Sequence, residues 1–425
     1  MVCRDRRRSG SDEPLGWCDR TGSSLGSLWC TVDDHHGPQH APQRDSLRTA
    51  EHVRGRRNGE RHHLGVAMKR LLIDRVVPPG DTLSALDAAI LGATTEAGPW
   101  DGLWVSEARH DPFLTLGFAA EHTERLTLGT SIAVAFARSP MTVAHTAYDL
   151  QRLSEGRFVL GLGSQVKAHI ERRFNMPWSA PAARMRDYVG ALRAIWQSWR
   201  THQPLDYHGE FYEHTLMTPF FSPPALSFPD PQVYVAAVGP AMTKVAGEVA
   251  DGVILHGFTT PRYIREVSAP ALAEGRRRAG RGDDEVAVSL MAFVVTGRTE
   301  IEMSQAAQAV REQIAFYAST PAYRPVMELH GWGEAAEELS VLARRGGDSW
   351  SSMTALIDDS MLREFAVVAE PGRVASAIAD RYSGVVDRLS FYTPYPGAER
   401  MWDDIAHDLL LAQPVEPIRP TGASA

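Results

Sequence analysis

Several short segments of this 425-residue chain carry residue types suited to chemistry, and each follows an apolar run. In Val233-Tyr234-Val235-Ala236-Ala237-Val238-Gly239-Pro240, the run ends in small residues and leads without a long loop into a helical pattern opening with Pro240 and Ala241. Free N–H groups and the positive end of a helix dipole at such a corner would seat an anion without any lysine. An ordinary tight strand-to-helix turn has the same spacing, and the residues alone leave both readings open. Gly161-Leu162-Gly163-Ser164-Gln165 imitates the opening of a dinucleotide fingerprint, but Val166 stands where the third glycine belongs, which argues against a nicotinamide site. Glu107 and His110, in Ser106-Glu107-Ala108-Arg109-His110-Asp111, could exchange protons near neutral pH; a solvated loop histidine is the competing reading. His256 and Phe258 follow another apolar run and are placed to line a substrate pocket, whereas His145 lies within a helical pattern and reads as packed and hydrogen-bonded. No Walker loop, serine elbow, HExxH or CxxC pair occurs, and no metal site is expected.

Elements that bring these segments together can be read from the hydrophobic period. Leu126 to Gln165 has the form strand, helix, turn, strand: apolar runs Leu128 to Val134 and Phe158 to Leu162 flank a helical pattern from Met141 to Leu153. Neither run alternates with polar residues, as expected of parallel strands buried on both faces. Further strands are predicted over Leu71–Val77, Gly102–Val105, Val233–Ala237, Gly252–Leu255, Val286–Val295 and Val386–Phe391. Helices are predicted between them, the first capped by Asp81 or Thr82 and running to Ala97, a long one over Pro181–Trp199. Strands alternating with helices in this number fit a (β/α)8 TIM barrel better than an open doubly wound sheet, with active groups at the carboxyl ends of the strands. Residues 202–230, rich in proline and aromatics, form an insertion that reads as a lid or pocket wall, or equally as a surface excursion; extra helices follow the seventh strand, over 300–319, 334–345 and 354–364.

The combination of Leu128-Gly129-Thr130-Ser131, Arg138-Ser139-Pro140, Leu153-Ser154-Glu155-Gly156-Arg157-Phe158 and Gly161-Leu162-Gly163 resembles the luciferase-like flavin and deazaflavin oxidoreductases. More narrowly, it is similar to the actinobacterial branch that uses the deazaflavin coenzyme F-420, from about Met68 to the C-terminus. The resemblance implies that Ala237, Val238, Gly239, Pro240 and Ala241 hold the coenzyme phosphate, and that Gly163, Ser164 and Gln165 lie alongside its side chain. It also implies a non-proline cis peptide at Ser131-Ile132 behind the ring, where the residues alone read as plain strand. Related enzymes place an acid followed by His beside the reacting carbon; this chain keeps Glu107, has Ala108 at the His position, and offers His110 as the nearest substitute. A homodimer is expected on the same ground. The expected activity is hydride transfer between F-420 and a small organic substrate; the alternatives are an FMN-dependent monooxygenase using oxygen, and an inactive ligand-binding barrel.

Composition bounds the rest. The formal net charge of −8 argues against a nucleic-acid partner. Cys3, Cys18 and Cys30 all fall near the start, no apolar run is long enough to span a membrane, and no secretory signal is evident, so a cytoplasmic protein is expected. Residues 1–67 lack hydrophobic periodicity and read as a disordered or spurious extension before one domain over 68–425, with Met68 as a candidate native start. The histidines at 35, 36, 40, 62 and 63 have no companion ligands at a spacing that would close a metal site. Arg276-Arg277-Arg278 reads as a solvated helix end, although a polyglutamyl coenzyme tail would favour basic groups near a pocket rim.

Overall fold

The computed structural model describes residues 70–77, 84–346 and 349–413. The proposed extension over 1–67, its histidines, Met68 and the proposed caps Asp81 and Thr82 lie outside these residues. Strands β1 (Leu72–Val76), β2 (Gly102–Val105), β3 (Thr127–Thr130), β4 (Phe158–Gly163), β5 (Gln232–Ala237), β6 (Gly252–Leu255), β7 (Ala287–Val295) and β8 (Arg388–Tyr392) pair in parallel, each with the next. Strand β8 then pairs with β1, through Leu72 opposite Arg388, and closes the barrel. Outward residues such as Ile73, Leu103, Leu128, Leu160, Val233 and Val253 are buried under the surrounding helices, which is why the runs show no alternation.

Local chemistry starts the helices, the first of them at Ser84 rather than at the expected Asp81 or Thr82. Ser84 caps the helix Ala85–Ala97 in a reciprocal box with Asp87, Asp111 caps Pro112–Ala120, and Ser139 caps Pro140–Leu153. Each side-chain oxygen satisfies a backbone N–H that a first turn leaves without a helical partner.

The barrel interior is layered. At the N-terminal ends of the strands, Arg388 grips Asp74 through two bonds, Nε–Oδ2 at 2.8 Å and Nη2–Oδ1 at 2.6 Å, and both are buried. A side chain at Gly102 would put its Cβ 2.6 Å from Asp74 Oδ1, so this glycine makes room for the pair. Above it lies a plug of Trp104, Val159, Tyr234 and Ile254.

Several details depart from the sequence reading. The run Leu128 to Val134 is broken after Thr130, and a short piece Ala133–Val134 resumes pairing with β4. The predicted helix 354–364 is two, Ser349–Ala355 and Asp359–Phe365, because Asp358 caps a new start at Met361 N. A strand Ala366–Val368 then pairs with the outer end of β7, and a C-terminal helix covers Glu399–Leu411. The proline-rich insertion packs on the outside of the helical layer. Asp187 accepts from Tyr207 Oη (2.5 Å), Phe211 N (2.6 Å) and Tyr212 N (3.0 Å), while Tyr148, Gln151 and Gly156 receive the segment from Pro224 to Pro229. Tyr212 of the same segment also accepts from Arg184 Nε at 2.8 Å, and that guanidinium lies over Phe136 after the cis peptide.

Candidate active site

Side chains alternate along each strand, so Val76, Ser106, Gly163, Ala236, His256, Met291 and Tyr392 face inward above the plug, and Ile132, beyond the break in β3, packs on it as well. Of these, all but Gly163 retain accessible surface, whereas the plug beneath them is buried. The barrel therefore opens into a mouth at the carboxyl ends of its strands, as the alternation of elements requires.

On one side of that mouth the chain is small. Gly161, Gly163 and Ala236 leave a low wall, and Gly163 accommodates the Ile132 side chain, whose Cδ1 would lie 2.7 Å from a Cβ there. The peptide between Ser131 and Ile132 is cis, at the place the resemblance implied. Ser131 N donates to Val105 O, and Ile132 O accepts from Glu107 N, which ties the kink to the loop after β2.

Next to the small wall, Gly239 starts the helix Pro240–Val249. Its first helical bond runs from Thr243 N to Gly239 O, no side chain caps it, and Pro240 has no N–H, so the amides of Ala241 and Met242 face outward. A Cβ on Gly239 would meet nothing within 4 Å. Val238 leads into this corner from Ala237, which is buried. Ser106 Oγ is buried in the same mouth with no partner among the described residues. Uncapped amides, open space and an unused hydroxyl fit a coenzyme that carries a phosphate and a flat ring. Ser164 and Gln165 follow β4, where Ser164 Oγ donates to Gln165 O and Gln165 Oε1 accepts from Val166 N, with Gln165 in the left-handed region at φ 59°.

The Glu107 carboxylate is committed to the segment that follows β3. Oε2 accepts from Val134 N and from Arg138 Nη1, both at 2.7 Å, and the same guanidinium reaches Asp111 at 3.1 Å. Glu107 thus holds the chain after the cis peptide in place. His110 is exposed on the loop rather than set in the mouth. His145 rests on Trp199, ring centroids 4.6 Å apart, well away from both. Arg276, Arg277 and Arg278 pair with Asp283, Glu274 and Glu248, and the following Arg281 binds Ala250 O at the far end of the helix that Gly239 starts. The triplet therefore lies toward the barrel end opposite the mouth.

The other side of the mouth is aromatic. His256 meets Tyr317 edge-on at 4.5 Å and Tyr323 at 4.8 Å, Phe258 stacks on Phe365 at 4.4 Å, and Tyr392 stacks on Phe293 at 4.6 Å. His256 Nδ1 accepts from Phe258 N at 3.0 Å, so its Nε2 bears the proton in the neutral ring. A small cavity between the Gly239 corner and this wall is lined by Ala237, Val238, His256, Phe258 and Tyr263. His256 and Phe258 were legible as pocket residues. Tyr317 and Tyr323 were not, because they arrive from helices far along the chain, and Tyr392 lies one residue past the predicted end of the last strand.

Burial pushes the His256 pKa from 6.5 down to about 4. Between those values the unfolded chain takes up a proton that the folded one refuses, so this group's contribution to stability falls as pH drops from about 6.5 to about 4. Urea unfolding at pH 7 and pH 4.5 should show the wild type losing more stability on acidification than His256→Gln; equal losses would mean the imidazole is solvated enough to titrate normally.

The sequence profile of the luciferase-like monooxygenases matches residues 80–388. An uncharacterized protein of Mycobacterium tuberculosis is 51% identical over 321 residues, covering 76% of this chain and 93% of its own. The F-420-dependent glucose-6-phosphate dehydrogenase of Intrasporangium calvum is 27% identical over 317 residues, 72% of this chain and 86% of that enzyme. Among solved structures, the coenzyme F-420-dependent tetrahydromethanopterin reductase from Methanopyrus kandleri has the same fold, with a TM-score of 0.65 at 21% identity over 80% of this chain and 99% of the reductase.

Proposed function

The chain belongs to the luciferase-like monooxygenase family, and from that premise we propose that it is a deazaflavin-dependent oxidoreductase passing a hydride between coenzyme F-420 and a small organic substrate. The observation that carries this reading is the meeting, at one rim, of an open uncapped helix start at Gly239 with a wall of small residues from β4 and β5. Relatives named as F-420-dependent enzymes support the choice of coenzyme. Ala237, Val238, Gly239, Pro240 and Ala241 would seat its phosphate, Gly163, Ser164 and Gln165 would border its side chain, and Ser131-Ile132 would back the ring. Bound there, the coenzyme supplies a carbon that gives or accepts hydride; the protein supplies orientation, exclusion of water and a proton. Glu107 and His110 on the loop after β2 would supply that proton, and the aromatic side of the mouth offers a second source.

Titrating the protein with F-420 and with FMN while following fluorescence quenching tests the assignment. Saturable binding of F-420 with FMN weaker is the expected result. FMN alone would make the protein a flavin monooxygenase on this scaffold, and neither would make it a ligand-binding barrel without redox chemistry.

We propose in addition that the protein is a homodimer. Leu86, Ile90, Leu114 and Phe118 are 68%, 51%, 68% and 45% exposed on two helices that pack side by side, a larger apolar surface than isolated exposed residues make. A Leu86→Glu/Leu114→Glu variant should sediment as a monomer where the wild type sediments as a dimer.

A further inference from the structure

The two sides of the mouth differ in chemistry as well as size. Opposite the small wall, His256, Tyr317, Tyr323 and Tyr392 retain accessible surface while packing ring against ring. The hydroxyls of Tyr317 and Tyr392 are 2.8 Å apart, so one donates to the other and the pair keeps one proton for a third oxygen. Burial holds the Tyr392 phenol up at about 12 and pushes the Tyr317 phenol well above its ordinary value, which keeps both protonated donors. Among the described residues no cation acts on Tyr317, Tyr323 or Tyr392 to balance an anion there. Arg311 and Arg324, on the helices that bring Tyr317 and Tyr323, are engaged by Asp359 and by Glu328 and Glu337.

We infer that this side is a recognition site for an uncharged, flat organic molecule, whose carbonyl oxygen, or the hydroxyl oxygen of its reduced form, is held by the Tyr392–Tyr317 pair. Flat rings gain from the edge and face contacts these aromatics offer, while a phosphate or carboxylate would lose its hydration without a cation to replace it. The reaction that follows binding rests on the hydride-transfer reading above; the binding does not. In the reducing direction the carbonyl carbon accepts a hydride from the reduced deazaflavin, the carbon–oxygen π pair moves to oxygen, and that oxygen takes the Tyr392 proton. Tyr317 returns a proton to Tyr392 and is itself reprotonated by water, so the carbonyl gains a hydride and a proton and the coenzyme leaves oxidised.

Calorimetric titration of the coenzyme-free protein with acetophenone, ethylbenzene and phenyl phosphate tests the site. The expected result is saturable binding of acetophenone, with phenyl phosphate at least about tenfold weaker. Tyr392→Phe and Tyr317→Phe, which keep the rings, should each weaken acetophenone about fivefold and leave ethylbenzene unchanged. The inference is overturned if acetophenone shows no saturation, if phenyl phosphate binds as well, or if the phenylalanine variants weaken both neutral probes alike, as a purely packing role would. Quenching by F-420, measured separately, keeps the two ideas apart: a protein that binds acetophenone as described but no F-420 sinks the proposed function and leaves the pocket standing.

Discussion

Arg388→Ala is expected to lower the free energy of unfolding by about 3–5 kcal/mol at pH 7, the largest single-residue loss the barrel offers. The guanidinium is buried, holds Asp74 through two short bonds, and lies 5.5 Å from the centroid of the Trp104 ring. Removing it leaves a carboxylate inside the barrel with no counter-charge, and burial already pushes the Asp74 pKa up even with the arginine present. In the variant that carboxyl will prefer to be protonated. A folded pKa raised above the unfolded value means stability is lost as pH rises through the folded pKa, so the deficit relative to wild type should be smaller at pH 4.5 than at pH 7. Denaturant unfolding at the two pH values checks both points, and a deficit that does not change with pH would show that water reaches Asp74. Replacing both partners by apolar residues should cost less than Arg388→Ala alone, since no charge is then stranded.

Gly239→Asp is expected to raise the dissociation constant for F-420 by about a hundredfold, because a carboxylate about 4 Å from the phosphate seat repels it in a partly desolvated corner. The backbone there, φ −97° and ψ 165°, is open to any residue, and a Cβ has nothing to strike within 4 Å. Asp is moreover a good helix cap, so the melting temperature should hold or rise slightly. Loss of coenzyme affinity in a protein at least as stable as wild type separates a binding effect from unfolding. Wild-type affinity in this variant would place the phosphate elsewhere on the rim.

Much of the fold could be read from the chain because its causes are local. Continuous apolar runs at Phe158–Leu162 and Val233–Ala237, with caps such as Ser139 and prolines such as Pro140 and Pro240 between strand and helix, reveal buried parallel strands in alternation with helices. The uncapped corner at Gly239 was legible for the same reason: a strand ending in small residues and running straight into Pro240 is a local pattern. The insertion was not, since its proline content fits a lid and a surface excursion alike, and its bonds to Asp187 come from a helix the local pattern does not name.

The sequence by itself determined the barrel and most of its strand tips, because strand parity and helix capping depend on neighbours a few positions away. Only the tertiary structure decided which tips share a wall. It joined Asp74 to Arg388 across the closing strands, drew Glu107 into a bracket with Arg138, and set Tyr317 beside Tyr392 from a helix after β7. Those pairings rest on contacts between residues distant in the chain, and no pattern of spacing encodes a contact whose partner is brought near only when the barrel closes.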